Sequence, residues 1–148
     1  MTRRLRLAAL LSTALATALL GGCGMHHHHH HQPPRGGGGG DPAAPLVIVT
    51  KGTIAVDQET LRFGKDQVNV RITWRLRGGD GGKLSFPPNG VVFERAADGE
   101  IVECQRSRDN TEFSCINRHT RPGVYRYGIN VDEDGRPLKP LDPTVMND

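Results

Sequence analysis

The clearest pattern of apolar and polar positions lies in the middle of the chain. From Val68 to Arg77 every even position is apolar and every odd position is polar. Alternation sustained over this length predicts a β-strand with one face buried and the other in water. Trp74, the only tryptophan, falls on the apolar side and is predicted to centre the core.

Shorter apolar or alternating runs occur on both sides of this strand and are separated by Gly, Pro, Asn or Asp. No segment shows an apolar stripe of three helical turns. Regular short strands of this kind predict an all-β, antiparallel Greek-key sandwich of about seven or eight strands. The other predicted strands are Leu46–Thr50, Thr53–Val56, Leu84–Phe86, Val91–Glu94, Ile101–Arg106, Phe113–Asn117 and Val124–Val131.

The last part of the chain carries turn signals and prolines. Asp132 to Gly135 favours a simple Asp-Gly turn, because the ligand spacing and closing Glu of an EF-hand loop are missing. Three prolines follow and are predicted to hold the tail extended. We expect Leu138, Leu141 and Val145 to lay this tail along the edge of the sandwich.

The N-terminus has the pattern of an export signal. Three arginines precede an uncharged run from Leu7 to Leu20, which is shorter than the roughly 20 residues needed to span a bilayer. The stretch Leu20-Gly21-Gly22-Cys23 then resembles the lipobox of bacterial lipoproteins. That resemblance implies cleavage before Cys23, a diacylglycerol on its sulfur and anchoring in a membrane. Because Gly24 rather than Asp follows, it also implies the outer membrane, facing the periplasm.

The predicted organisation is a signal peptide over residues 1–22, a lipidated tether over 23–45 and a sandwich domain over 46–148. The tether is rich in Gly, Pro and His without apolar periodicity, so we expect it to be flexible. Met25 precedes six consecutive histidines, the form of an engineered purification tag. A natural tract is the alternative, either as a polar spacer or as a loose site for Zn, Cu or Ni. The histidines are His26, His27, His28, His29, His30 and His31.

Cleavage changes the charge balance. The chain has 19 Lys and Arg against 16 Asp and Glu, and three of the arginines lie in the signal, so the mature chain is neutral. A neutral domain gives no support for nucleic-acid binding, which requires net positive charge.

With Cys23 assigned to lipid, Cys104 and Cys115 remain as a pair in a compartment where disulfides persist. A hairpin centred between Asp109 and Asn110 would put the two cysteines directly opposite each other. We predict a four-residue loop, Arg108–Thr111, because it makes them a non-hydrogen-bonded pair, in which the Cβ atoms are closest.

Two stretches are similar to the copper-site segments of cupredoxins: 86–94, with the sequence Phe-Pro-Pro-Asn-Gly-Val-Val-Phe-Glu, and 113–125, with Phe-Ser-Cys, His119 and Pro-Gly-Val-Tyr. The resemblance implies a cupredoxin-like sandwich, with an immunoglobulin-like one as the alternative. It does not imply copper, because Pro88 replaces the first His, no Met follows His119, and Cys115 has a disulfide partner.

No catalytic site can be assembled, since the serines of the domain have no second folded histidine to serve them. We therefore predict no enzyme and no cofactor. Four arginines form a candidate anion-binding set if they converge: Arg71, Arg75, Arg118 and Arg121. The leading hypothesis is a lipid-anchored binding or accessory structural protein that meets another envelope component. The alternative is a copper- or zinc-handling lipoprotein that uses the histidine tract, or Cys115 with His119.

Overall fold

A computed structural model describes residues 40–78 and 80–148 of the chain. The predicted export signal, Cys23 and the histidine tract lie outside these residues. The described part is an all-β sandwich, as predicted. Among these residues no helix is long and apolar enough to cross a bilayer.

Two main sheets contain most of the strands. The first has five strands, in the spatial order β2 (Thr53–Val56), β1 (Leu46–Thr50), β4 (Val70–Gly78), β8 (Glu112–Asn117) and β7 (Ile101–Arg106). The second has four, in the order β3 (Thr60–Phe63), β12 (Thr144–Asn147), β9 (Gly123–Ile129) and β6 (Val91–Phe93). A small third sheet contains β11 (Arg136–Pro137), β10 (Asp132–Glu133) and β5 (Leu84–Ser85). One 3-10 turn, Arg95–Ala97, precedes β7.

Two strand pairs are parallel, which differs from the purely antiparallel prediction. β1 runs parallel to β4, and β3 runs parallel to β12. The chain leaves the first sheet after β2, contributes β3 to the second sheet and returns as β4 beside β1. The described residues contain 12 strands rather than seven or eight, because β3, β12 and several two-residue strands have little local signal.

The core lies between the two main sheets and is centred on Trp74, as predicted. Trp74 is fully buried on β4 and contacts Tyr127 of β9 edge-on, with ring centroids 5.4 Å apart. Phe93 of β6 stacks on Tyr127 at 5.0 Å. The Trp74 indole N–H donates to the Tyr127 hydroxyl over 3.2 Å, and burial raises the pKa of that hydroxyl. One aromatic cluster therefore joins β4 of the first sheet to β6 and β9 of the second.

The C-terminal tail is not at an edge of the sandwich, so that prediction was wrong. β12 lies inside the second sheet between β3 and β9, and Val145 is completely buried. The sequence of β12, Thr-Val-Met-Asn, has only one strongly apolar inward residue, because its other inward residue is Asn147. The predicted turn is present: Asp134 and Gly135 both have positive φ and connect β10 to β11, as in a type I′ hairpin.

The cysteine hairpin has the predicted register next to its turn. Ser107 N–H donates to Glu112 O over 2.9 Å and closes the four-residue loop 108–111. Cys104 and Cys115 lie at disulfide distance, with Cα atoms 4.1 Å apart. Beyond them the register shifts by one residue, so Glu103 and Cys104 together oppose Cys115. Such a bulge interrupts the pairing of the edge strand β7, which resumes at Val102 and Ile116, and Glu103 has the positive φ of 53° that accommodates it.

We expect the disulfide to stabilise the sandwich, because it closes a ring between residues 11 positions apart in the sequence. Replacing both cysteines, as C104A/C115A, should lower the free energy of unfolding by about 3 kcal/mol or somewhat less. Urea unfolding followed by Trp74 fluorescence measures this change. Reducing the wild-type protein should shift its midpoint to that of the double variant, and an unchanged midpoint in both would contradict the expectation.

Candidate functional site

The outward surface of the first sheet carries a group of arginines. Ile72 and Trp74 point into the core, so Arg71, Arg75 and Arg77 lie on the opposite side of β4 and are exposed. Arg118 follows the buried Asn117 and lies on the same side, where its carbonyl accepts the Asn69 N–H and extends the β4–β8 pairing. We call this surface the arginine face, defined by Arg71, Arg75, Arg77 and Arg118.

One carboxylate lies among these side chains on β8. Arg75 Nε donates to Glu112 over 2.8 Å, and both side chains are about half exposed, so the pair adds little stability. Arg71 donates to the Ser114 hydroxyl over 3.3 Å. The four arginines and this one glutamate leave the face with an excess of three positive charges.

Apolar side chains lie beside two of the arginines. Ile48 is in register with Arg77, and Ile116 is in register with Arg71. Both isoleucines are only partly buried. Long arginine stems can cover such groups while their guanidinium heads remain in water. The face is thus both basic and partly apolar.

Arg121 does not join the arginine face. It lies in the loop between β8 and β9, where its Nε is 3.2 Å from the carboxylate of Glu100. Its guanidinium also donates to the Asp98 carbonyl over 3.3 Å. The predicted set therefore separates into three residues on one sheet face and one residue at the end of the sandwich.

Glu100 holds this loop in place. Its side chain is only 2% exposed and accepts hydrogen bonds from the main-chain N–H groups of Thr120 and Arg121 and from the Thr120 hydroxyl. Burial raises the pKa of Glu100, but these hydrogen bonds and that from the Arg121 side chain outweigh it and leave the pKa below its ordinary value. The charged carboxylate is therefore the form that the loop stabilises. Tyr125 of β9 fixes the loop from the other side by donating to the Arg121 carbonyl.

A second buried polar pair closes the same end. Asn117 and Asn147 exchange side-chain hydrogen bonds of 2.8 and 3.1 Å, which join β8 to β12 across the core. His119 is nearly buried, with Nδ1 3.1 Å from the Gln67 carbonyl and Nε2 3.1 Å from a main-chain oxygen of Asp148. With both nitrogens directed at oxygens of the protein, this imidazole is placed as a structural residue rather than a ligand.

A cleft of about 360 Å³ opens beside His119. Three charged residues line it. Arg121 is already paired with Glu100, and the other two, Lys65 and Asp148, have opposite charges. Opposite charges on the same wall leave no excess charge to select an anion. The lining residues are Lys65, His119, Thr120, Arg121, Pro122 and Asp148.

The two cupredoxin-like stretches contact each other through Phe86 and Phe113, with ring centroids 5.8 Å apart, but His119 lies far from this contact. Gly90 O accepts the Asn130 N–H, just past the C-terminal end of β9. His119 instead lies near Asp148, which follows the Asn147 that pairs with Gly123 at the start of β9. The length of β9, about 20 Å, separates the two. Cys115 is joined to Cys104, and among the described residues no three His, Cys, Asp or Glu side chains converge as metal ligands.

Sequence reasoning missed the residues that shape this end of the molecule. Glu100 follows Asp98 and Gly99 and has the appearance of a solvated turn residue, while Asn117 and Asn147 end two short strands. None of them has a partner close in sequence. The one available signal was the strand alternation, which places Asn117 on the inward side of β8 and requires it to find a polar partner.

Comparison with known proteins adds no assignment. No protein-family model matches the chain, and no curated protein is significantly similar to it in sequence. The functional argument therefore depends on the residues themselves.

We expect Glu100→Gln to destabilise the loop, because an amide N–H₂ would face the donors of Thr120 and Arg121. Loss of the buried, charge-assisted hydrogen bonds should cost about 1–3 kcal/mol at neutral pH. Because the pKa of Glu100 is lowered on folding, the wild-type carboxylate stabilises the fold at pH values above 4.5, its ordinary pKa. This stabilisation is lost as the pH falls through the lower pKa of the folded state. Urea midpoints measured across this range should therefore fall more steeply for wild type than for E100Q. Asp98→Asn, on an exposed neighbour, is the matched control, and equal pH dependence of wild type and E100Q would refute the role of Glu100.

Proposed function

We propose that the protein is a lipid-anchored, non-catalytic binding module of a bacterial cell envelope, which uses the arginine face to bind an anionic partner. The observation that carries the binding role is the placement of Arg71, Arg75, Arg77 and Arg118 on one side of one sheet, where Arg75 pairs with Glu112. The lipid anchor is supported by the lipobox-like stretch ending at Cys23.

Any attraction of an anion to this protein depends on the local distribution of charge rather than on its net charge. The mature chain has equal numbers of acidic and basic residues, so attraction of an anion requires the charges to be segregated on the surface. Segregation is present here, because the arginine face is basic while Asp132, Glu133 and Asp134 form an acidic hairpin in the third sheet. Only a partner that meets the arginine face gains from this arrangement.

The metal-handling alternative has little support from the described residues. Cys115 is engaged in the disulfide and both ring nitrogens of His119 face main-chain oxygens. Its remaining candidate is the tract His26–His31, which lies outside these residues. Metal handling therefore remains the second hypothesis.

The anchor is tested by Cys23→Ser in the native host. Wild-type protein should fractionate with membranes, and its intact mass should include acyl groups on a first residue Cys23. C23S should lose both properties, because the sulfur that accepts the lipid is gone. C104S/C115S is the matched control and should stay in the membrane fraction. An unmodified Cys23 in the mature wild type would refute the anchor.

The binding role is tested with dextran sulfate, a soluble polyanion, and residues 24–148. All buried residues of the described part lie between Pro45 and Asn147, so this chain keeps the whole core. Replacing Arg71, Arg77 and Arg118 by Gln should weaken binding by about tenfold, since exposed ion pairs contribute up to about 1 kcal/mol each. Fluorescence anisotropy of a labelled chain measures the affinity, which should also fall with added salt.

The matched control removes the same charge elsewhere. Arg126, Arg136 and Lys139 are exposed and lie off the arginine face, and their triple Gln variant should bind the polyanion nearly as well as wild type. Equal weakening in the two triple variants would mean that net charge alone governs binding, and the assignment of the arginine face would then be wrong.

A further inference from the structure

We infer that the anionic partner of the arginine face is the membrane surface itself, so that the domain docks on anionic phospholipid headgroups beside its own anchor. This inference rests on the proposed function and names the ligand class of the same surface. Two observations support it independently: the chemistry of the face, and the place where the chain from the anchor enters the domain.

The face fits a phospholipid surface better than it fits a small anion. Arg75 and Arg77 are two residues apart on β4, about 7 Å, whereas Arg71 lies about 13 Å from Arg75. The three arginines therefore extend over about 20 Å of the strand, which is wider than one phosphate and allows the set to meet several headgroups. The partly buried Ile48 and Ile116 lie beside Arg77 and Arg71. Basic residues with apolar neighbours are the composition of surfaces that bind the headgroup region.

The chain enters the domain along this same sheet. Thr73 N–H donates to the Ala43 carbonyl over 2.9 Å, and Arg75 N–H donates to the Pro45 carbonyl over 3.1 Å. Residues just before β1 are therefore bound to β4 next to the positions of the arginine face. The segment that leads back to Cys23 therefore begins beside β4, the strand that carries three of the four arginines.

The connection is short enough to bring the face to the membrane. Positions 24 to 39 comprise 16 residues, which span at most about 55 Å when fully extended. A domain of this size has a radius of gyration of about 13 Å. Anchoring at Cys23 therefore confines the face near the bilayer, where contacts too weak to hold a free protein become effective.

The test is vesicle flotation of residues 24–148, without lipid, on equimolar phosphatidylglycerol and phosphatidylcholine and on phosphatidylcholine alone. Wild type should float with the phosphatidylglycerol vesicles only, and salt should release it. Each arginine near an anionic surface contributes about fivefold to partitioning, so the triple Gln variant of Arg71, Arg77 and Arg118 should partition about a hundredfold less. The triple variant of Arg126, Arg136 and Lys139 should float like wild type.

Three outcomes would overturn the inference: no flotation of wild type, equal flotation on both vesicle types, or flotation of the arginine-face variant equal to that of wild type. The comparison of the two lipids uses only the wild-type chain, so it decides the question even if a variant folds poorly. If vesicles are not bound while dextran sulfate binding still depends on the arginine face, the membrane is the wrong partner and the proposed function stands with a different anionic ligand.

Discussion

Burial of Trp74 between the two sheets is the constraint on which the rest of the structure depends. Its ring contacts Tyr127 and Phe93 from the opposite sheet, and its N–H is satisfied by the Tyr127 hydroxyl. Because side chains of a strand alternate, fixing Trp74 inward fixes Arg71, Arg75 and Arg77 outward on β4. The alternation of β4 thus produces both the core and the arginine face. A shift of its register by one residue would turn Trp74 outward and the arginines inward, and both would be lost.

The two ends of the sandwich are organised in different ways. At one end Glu100 binds main-chain N–H groups of the β8–β9 loop, while Asn117 and Asn147 pair across the core. The two asparagines satisfy each other, and the charge of Glu100 is satisfied by Thr120 and Arg121. At the other end Gly90 packs closely between Phe86 and Phe113, where a Cβ would come within 3 Å of both rings. Both ends are therefore held by contacts within the domain.

Basic and acidic residues are unevenly distributed over the surface of the domain. Residues 23–148 contain equal numbers of acidic and basic residues, yet the four arginines of the arginine face outnumber the paired Glu112 by three and the β10–β11 hairpin carries three adjacent carboxylates. A neutral protein with this distribution interacts with anions through orientation rather than through overall attraction.

Local patterns determined much of the fold. Alternation from Val68 to Arg77 predicted β4, its buried tryptophan and its arginine side, and the cysteine spacing predicted the register and loop of the hairpin, because both depend on neighbours close in sequence. The parallel pairs, the interior position of β12 and the Glu100–Arg121 contact could not be predicted in this way. Each joins residues distant in sequence, and short strands such as Thr-Val-Met-Asn carry too few apolar positions to identify their neighbours.

The sequence by itself determined which side of β4 is wet and basic. Only the tertiary structure decided that Arg118 shares that side while Arg121 is bound to a buried glutamate, because loop positions are set by partners on other strands.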